Sequence, residues 1–490
     1  MTPRVVVVGG SVAGLAAGLC CARRGLATTV IEGDDDAAPR PFDEPAARDP
    51  RRATPQAAQS HAFLARAREV LAAEAPGVLD ELDELGAPTM VLRPPPEPTR
   101  FAAGEVTTTR PGPTEPAVVL ARRTTFEAAL RTVAATTDGL TLRTGAKVDR
   151  LVADDHGPVP VVRGVRLDDG TTIDADVVLD ASGRRGRSLD WLTDLGVSVD
   201  ERSTECGITY HTRFYRLLLG ATAGPLNRGY TCGSSFDRYS CLVFPADRET
   251  FSVTFGTLPE DRALRGLRDD DAFAAAAAAL PLVGEWVDPA RSTPISPPRS
   301  MTGMRNRLRR TTVDGRPLVL GHALVADAAA ISNPAHSRGC ALALGHARRL
   351  ADAVVDHAGE PDAFAGAVDA AVDDLAVWVA DSDAQDRARL SRWRADAAPP
   401  EPTPFTPPPQ GWLTNGEAYV AAHHDPVVWQ RFTRLQQLLA RPADVLGDAD
   451  TIARVRQVQA DGLGLPAMSA PTHDELAGLV DAAGRVGRAA

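Results

Sequence analysis

Lysine is almost missing from this chain. Lys147 is the only one among 53 basic residues, and arginine and alanine dominate, which reads as a GC-rich genome more than as a function. Cysteine is sparse and scattered, at positions 20, 21, 206, 232, 241 and 340. No C-x-x-C pair occurs, so neither a zinc site nor a redox dithiol is suggested, and a reducing, cytoplasmic setting is expected. Cys20 and Cys21 are neighbours in a helical stretch and read as packing residues. There is no basic block, and the net charge of −11 with a pI near 5.5 argues against a nucleic-acid partner. No run of 18 apolar residues is present, and the chain opens on a strand rather than a signal peptide, so membrane insertion is not expected. Phe273 to Leu280 is apolar but short and alanine-rich, which fits a soluble helix. At 490 residues, two or three domains and a large core are expected.

What is present is concentrated in the first 32 residues. Val5 to Val8 read as a strand buried on both faces. A glycine-rich turn, Gly9-Gly-Ser-Val-Ala-Gly14, leads into a helix of small residues that Gly25 ends. Thr28 to Ile31 reads as a second strand with Glu32 at its tip. This is one βαβ unit with an acid about 20 positions beyond the glycines, the dinucleotide fingerprint. Gly9 allows the sharp turn. The small Ser11, with Val12 and Ala13 behind it, lets the backbone approach a pyrophosphate. Gly14 and Gly18 let the helix lie close to the strands. The helix N-terminus offers unpaired N–H groups and partial positive charge to phosphates, and Glu32 can accept hydrogen bonds from ribose hydroxyls. Ser11 replaces the usual second glycine, which its small size and N-capping ability make tolerable.

Further on, helices are expected over 55–71, 76–90, 121–131, 269–287 and 341–355, and a polar helical region beyond 361. Residues 33–54 are rich in Pro, Asp and Arg and read as loop, and Pro94–Pro98 and Pro399–Pro404 interrupt the pattern. Val161–Leu167, Asp168-Asp-Gly170 and Thr171–Ile173 read as a hairpin. Val177–Asp180 and 313–320 read as strands, with 323–326 another. Residues 205–257 alternate with period two, an antiparallel sheet. No second glycine-rich βαβ unit is found.

Three segments in order resemble the flavoprotein monooxygenases of the para-hydroxybenzoate hydroxylase superfamily: Gly9–Gly14 with Glu32, Asp174–Arg184 with its Asp-Ala-Ser-Gly-Arg ending, and Ala326–Gly339 with Asp327 and Asn333-Pro334. Pro55–Phe63 resembles bacterial members near geranylgeranyl reductases and styrene-monooxygenase-like enzymes. The resemblance covers roughly residues 4 to 355. It implies an FAD cofactor, with Asp327 on the ribityl chain, Arg123 facing the pyrophosphate and the backbone near Val148 meeting the adenine. It also implies that Pro334 to Gly339 pass along the isoalloxazine ring, and that the helix starting near Cys340 points its N-terminus at the flavin. The implied reaction is hydroxylation or epoxidation of a mostly apolar small molecule through a flavin C4a-(hydro)peroxide. O2 is the co-substrate, and electrons come from NAD(P)H or a partner flavin reductase.

Two departures stand out. Ala326 replaces the usual glycine before Asp327, and Ser337 replaces a glycine after the proline. If position 337 needs positive φ, serine strains it by about 1–2 kcal/mol. His336 and His61 are the candidate catalytic side chains; Tyr210, His211 and Tyr215 are candidate pocket residues, with 211 on the opposite face from 210. Flavin-dependent halogenases share the first motif but use a W-x-W-x-I-P segment and an active-site lysine. The segment is missing here, and Lys147 lies in the strand region expected near adenine. Two other functions remain open: an FAD-dependent reductase of alkenes, and a non-catalytic flavin-fold protein that binds a lipid or protein partner.

The expected fold is α/β (α+β overall). FAD-binding segments at 1–80, 118–195 and 305–360 form a Rossmann-like domain. Residues 81–117 and the antiparallel sheet of 196–304 form an inserted substrate domain. A helical C-terminal region over 361–490 is expected to act as scaffolding.

Overall fold

The computed structural model describes residues 2–34, 54–94, 102–103, 105–107, 115–154, 156–357, 359–394, 403–465 and 468–489. The stretch 35–53, the residues 95–98 and the residues 399–402, all expected to be loop, lie outside the described residues.

Strand β1 (Arg4–Val8) has Val5 to Val8 buried, because it lies inside a five-stranded parallel sheet with both faces covered. Helix α1 (Val12–Arg23) crosses over to β2 (Ala27–Ile31), which pairs in parallel with β1, Val8 opposite Ile31. Helix α2 (Arg123–Ala135) precedes β3 (Leu140–Arg143) on the outer side of β2. On the other side of β1 lie β4 (Val177–Asp180) and then β5 (His322–Leu324). The carboxyl ends of β1, β2, β4 and β5 therefore meet at one edge, where ligands of open α/β sheets bind. Helices α3 (Gly339–His357) and α4 (Pro361–Trp393) follow; α3 packs on α1 and α4 on α3, and their apolar faces close the largest core cluster.

A separate antiparallel sheet is built on strand 209–217, which pairs with 250–257, itself paired with 239–245. One face carries Tyr215, Phe251, Val253 and Phe255, covered by the helix Asp270–Ala278 and the C-terminal helix His473–Ala489. The other carries Tyr210, Thr212, Phe214, Ser252 and Thr254, as strand alternation dictates. A parallel sheet, an inserted antiparallel sheet and a helical C-terminal region were all expected, and all are present.

Four local expectations are corrected. The helix over 55–71 is a short 3-10 turn, Pro55–Ala58, that gives way to extended backbone at Gln59, and the α-helix runs only from Ala65 to Glu74. The helix over 76–90 stops at Glu84. Gly86, at φ 75°, turns the chain, and Thr89–Val91 is a strand. The helix over 269–287 is two helices, Asp270–Ala278 and Val283–Val287, interrupted at Pro281, which cannot donate a helical N–H. The strand over 313–320 is a tight hairpin, with Asp314 at φ 49° and Gly315 at φ 73° turning Thr312–Val313 back onto Arg316–Pro317.

Candidate functional site

The glycine turn is built to sterically exact limits. A Cβ on Gly14 would stand 1.7 Å from the Gly9 carbonyl oxygen, and one on Gly9 would stand 2.6 Å from that of Ala181. Gly9 itself takes φ 100°. The Gly10 amide donates to Glu32 Oε2 at 2.8 Å, so the acid at the tip of β2 is tied to the turn. The first amides of α1, at Val12, Ala13 and Gly14, have no intrahelical acceptor. The Ser11 hydroxyl does not cap them; it donates to Glu127 Oε2 at 2.8 Å. Lys147 lies beside Gly33, and Val148 begins the next strand there, next to Glu32, whose carbonyl accepts the Ala146 amide at 3.0 Å.

Arg123, the first residue of α2, reaches three distant segments. Its Nη2 donates to Ser11 Oγ at 3.0 Å, and its Nη1 lies 3.5 Å from His61 Nε2 and 3.7 Å from Cys340 Sγ. Its Nε is buried with no hydrogen-bond partner. Burial, with Arg123 adding to it, lowers the His61 pKa to about 3. Asp327 carries no side-chain hydrogen bond among the described residues. Burial raises its carboxyl pKa, and Arg123, Arg307 and Arg184 oppose that rise.

The loop 333–338 follows. Asn333 caps the short turn Pro334–His336 by accepting the Ala335 amide at 3.0 Å, and Gly339 starts α3. Ser337 does adopt the left-handed conformation, at φ 55°, and so does Ala326, at φ 51°. Both departures from glycine thus fall where glycine is the unstrained residue. His336 keeps a buried, unpartnered Nε2, and burial, then Arg338, lowers its pKa to about 3.

The sequence reading missed what holds this loop. Asn333 Nδ2 donates to Asp386 at 2.5 Å, and Arg338, 1 % exposed, donates to Asp381 at 2.5 Å. Both acids lie on α4. The Tyr210 hydroxyl donates to Asn333 Oδ1, so the sheet, the loop and α4 meet there. The signal available in the sequence was a run of acids, Asp381, Asp383 and Asp386, between Trp378 and Leu390; with Asp374 and Ser382 they are buried on a helix face that is apolar toward its N-terminus. His211 and Tyr215 do not join this set. They point to the opposite face of the sheet, where His211 Nδ1 pairs with Ser300 Oγ at 2.8 Å and Tyr215 stacks on Phe251.

A cavity of about 250 Å³ is lined by Arg184, Arg185, Arg305, Arg307, Thr302 and Ile331. Arg305 is paired with Glu205 at 3.2 Å, whereas Arg185 has no ion pair among the described residues. Burial and the neighbouring Arg309 lower the Arg307 pKa to about 10. No cluster of three or more metal-ligating side chains occurs among the described residues, and no helix there is long and apolar enough to cross a membrane.

The residues present fit FAD. The glycine cradle excludes side chains, the first amides of α1 lack intrahelical acceptors, and the buried Arg123 Nε has no hydrogen-bond acceptor, its nearest carboxylate oxygen being Glu127 Oε2 at 4.0 Å. Comparison with known proteins agrees. Residues 4–209 match the family described as FAD binding domain. No curated protein matches this chain. Among solved structures, the chain is similar to the flavin-dependent brominase Bmp2 at 15% identity, covering 94% of this chain and 99% of that one with a TM-score of 0.61. It is similar to pqsL, a probable FAD-dependent monooxygenase from Pseudomonas aeruginosa, at 16% identity, covering 80% and 98% with a TM-score of 0.57. It is also similar to the myxobacterial chondrochloren halogenase CndH at 18% identity, covering 97% and 99% with a TM-score of 0.55. Residues 4–209 thus match an FAD-binding domain, as the first two motifs led us to expect, and the chain shares its fold with FAD-dependent monooxygenases and with halogenases.

Proposed function

We propose that this protein is an FAD-dependent monooxygenase that hydroxylates or epoxidises a mostly apolar small molecule. The observation that carries the proposal is the Arg123 junction, where one guanidinium reaches Ser11 of the glycine turn, His61 and Cys340 at the head of α3. Bound FAD would supply the redox chemistry, with O2 as co-substrate. The protein's part is binding, orientation and exclusion of water. The α1 amides and Arg123 hold the pyrophosphate. Glu32 holds the adenosine ribose, the backbone near Val148 borders the adenine, and Asp327 holds the ribityl chain. The loop from Pro334 to Gly339 would border the flavin, and the positive N-terminus of α3 would favour its reduced, anionic form.

His61 and His336 are neutral near pH 7, each with a pKa lowered to about 3. Neither acts there as an imidazolium acid; His336 offers a neutral ring with an unpartnered Nε2, whereas His61 turns Nε2 to Arg123 and Nδ1 to the Gln59 carbonyl and serves to orient Arg123. The sheet face shared with Tyr210 carries Phe214 and Phe244 beside Thr212 and Thr254, which supports a largely apolar substrate with a polar group. Lys147 stands beside Gly33 at the end of the cleft where Glu32 lies, so the only lysine is away from the flavin loop. This favours oxygenation over halogenation. The arginine cavity beside Asp327 supports docking of a phosphate-bearing electron donor, NADPH before NADH; a partner flavin reductase is the other source.

The test is a visible absorption spectrum of the purified protein, followed by anaerobic addition of NADH or NADPH. A flavin spectrum that bleaches, with oxygen readmission forming oxygenated product, is the expected result. A flavin that stays oxidised points to a reductase partner. A colourless protein that takes up no FAD would refute the proposal.

A further inference from the structure

Ala326 sits at φ 51°, a conformation that L residues rarely hold without support. Its amide donates to Nδ1 of His346 at 3.1 Å, across 20 residues. His346 lies in α3, seven residues and about two turns from Gly339. Its ring is 2 % exposed. Burial, with Arg349 and Arg66 adding to it and Asp374 opposing, lowers its pKa to about 4. The ring is thus neutral, and an accepting Nδ1 requires the proton on Nε2. That Nε2 is buried and has no partner. An unpaired buried donor is costly, and the fold tolerates it where the other nitrogen is engaged.

We propose that His346 is a positioning residue for the cofactor aspartate. Its neutral imidazole clamps the left-handed bend at Ala326, and so aims the next residue, Asp327, from the same helix whose N-terminus borders the flavin loop. The inference rests on the reading of Asp327 as a ribityl contact. Glycine at 326 would adopt the bend unaided, so the clamp should matter only while residue 326 has a side chain.

The experiment is a double-mutant cycle of His346→Leu and Ala326→Gly, read by FAD affinity from flavin fluorescence quenching and by the thermal midpoint of the FAD-free protein. His346→Leu is expected to weaken FAD binding about tenfold in the native background, and no more than about twofold when residue 326 is glycine. His346→Gln, which retains an acceptor, should recover part of the loss. An equal loss in both backgrounds, in affinity and in thermal midpoint, would overturn the clamp and leave His346 a packing residue. Asp327→Asn binding FAD like the native protein, with the 326–346 coupling still visible in the thermal midpoint, would instead overturn the assignment of Asp327. The two failures are distinguishable.

Discussion

Arg122 and Asp247 form a buried two-point ion pair across the two parts of the molecule. The Arg122 amide donates to one carboxylate oxygen at 2.6 Å and its guanidinium to the other at 2.5 and 3.0 Å. Their side chains are 4 % and 0 % exposed. Arg122 caps α2 immediately before Arg123, and Asp247 lies in the turn that joins two strands of the antiparallel sheet. The sheet is thereby fastened to the helix that presents Arg123 to the cofactor cleft.

Removing one partner should cost more than removing both. Asp247→Ala removes the carboxylate that both the Arg122 amide and its buried guanidinium bond to, and should destabilise the protein by about 3–5 kcal/mol in urea denaturation. Arg122→Met combined with Asp247→Leu should recover much of that loss. A loss below about 1 kcal/mol for the single change would mean that the pair is solvated, against its burial.

Gly14→Ala should abolish FAD binding, because the new Cβ would fall 1.7 Å from the Gly9 carbonyl oxygen. Gly25→Ala is the control: its φ is 75° and a Cβ there meets nothing within 4 Å, so it should cost only about 1–2 kcal/mol of stability and leave affinity intact. Equal FAD binding by the two variants, measured by equilibrium dialysis, would show that close approach at position 14 is not what the cofactor needs.

Arg185→Gln should raise the KM for NADPH about fivefold with little change in kcat. It should also flatten the dependence of that KM on salt, since an exposed arginine acts at a distance that salt screens. The check is steady-state kinetics at two ionic strengths. Unchanged KM and salt dependence would remove the arginine cavity as the donor's docking place.

Stability should fall in mild acid. Burial lowers the pKa of His211 and of His346 to about 4, from an ordinary value of 6.5. The unfolded chain takes up protons at both near 6.5, whereas the folded chain resists until about 4. Folding stability is therefore fully present above the ordinary value and declines as pH falls through this window. The two sites together contribute a slope of about 3 kcal/mol per pH unit. Urea midpoints at pH 7, 6 and 5 measure it. His61 and His336, lowered to about 3, add to the same slope, so His211→Asn should remove only its own one-proton share, about 1.4 kcal/mol per pH unit; a slope unaltered by that change would assign the acid sensitivity elsewhere.

The sequence alone determined the parts whose physics is local. Four consecutive valines, a glycine turn and an acid about 20 residues on can form little other than a dinucleotide-binding βαβ unit, and strand alternation placed Tyr210 and His211 on opposite faces. The pattern lost precision where one residue ended an element, as Gly86 and Pro281 do. Tertiary structure decided which distant groups meet. Ser11 and Arg123 are 112 residues apart, and Arg123 and Cys340 are 217 apart. Asn333 is held by Asp386, and Arg338 by Asp381, from a helix that the sequence presented as polar scaffolding. Whether an aspartate on such a helix faces water or a buried amide depends on which surface the helix lies against. Packing sets that, and periodicity carries no record of it.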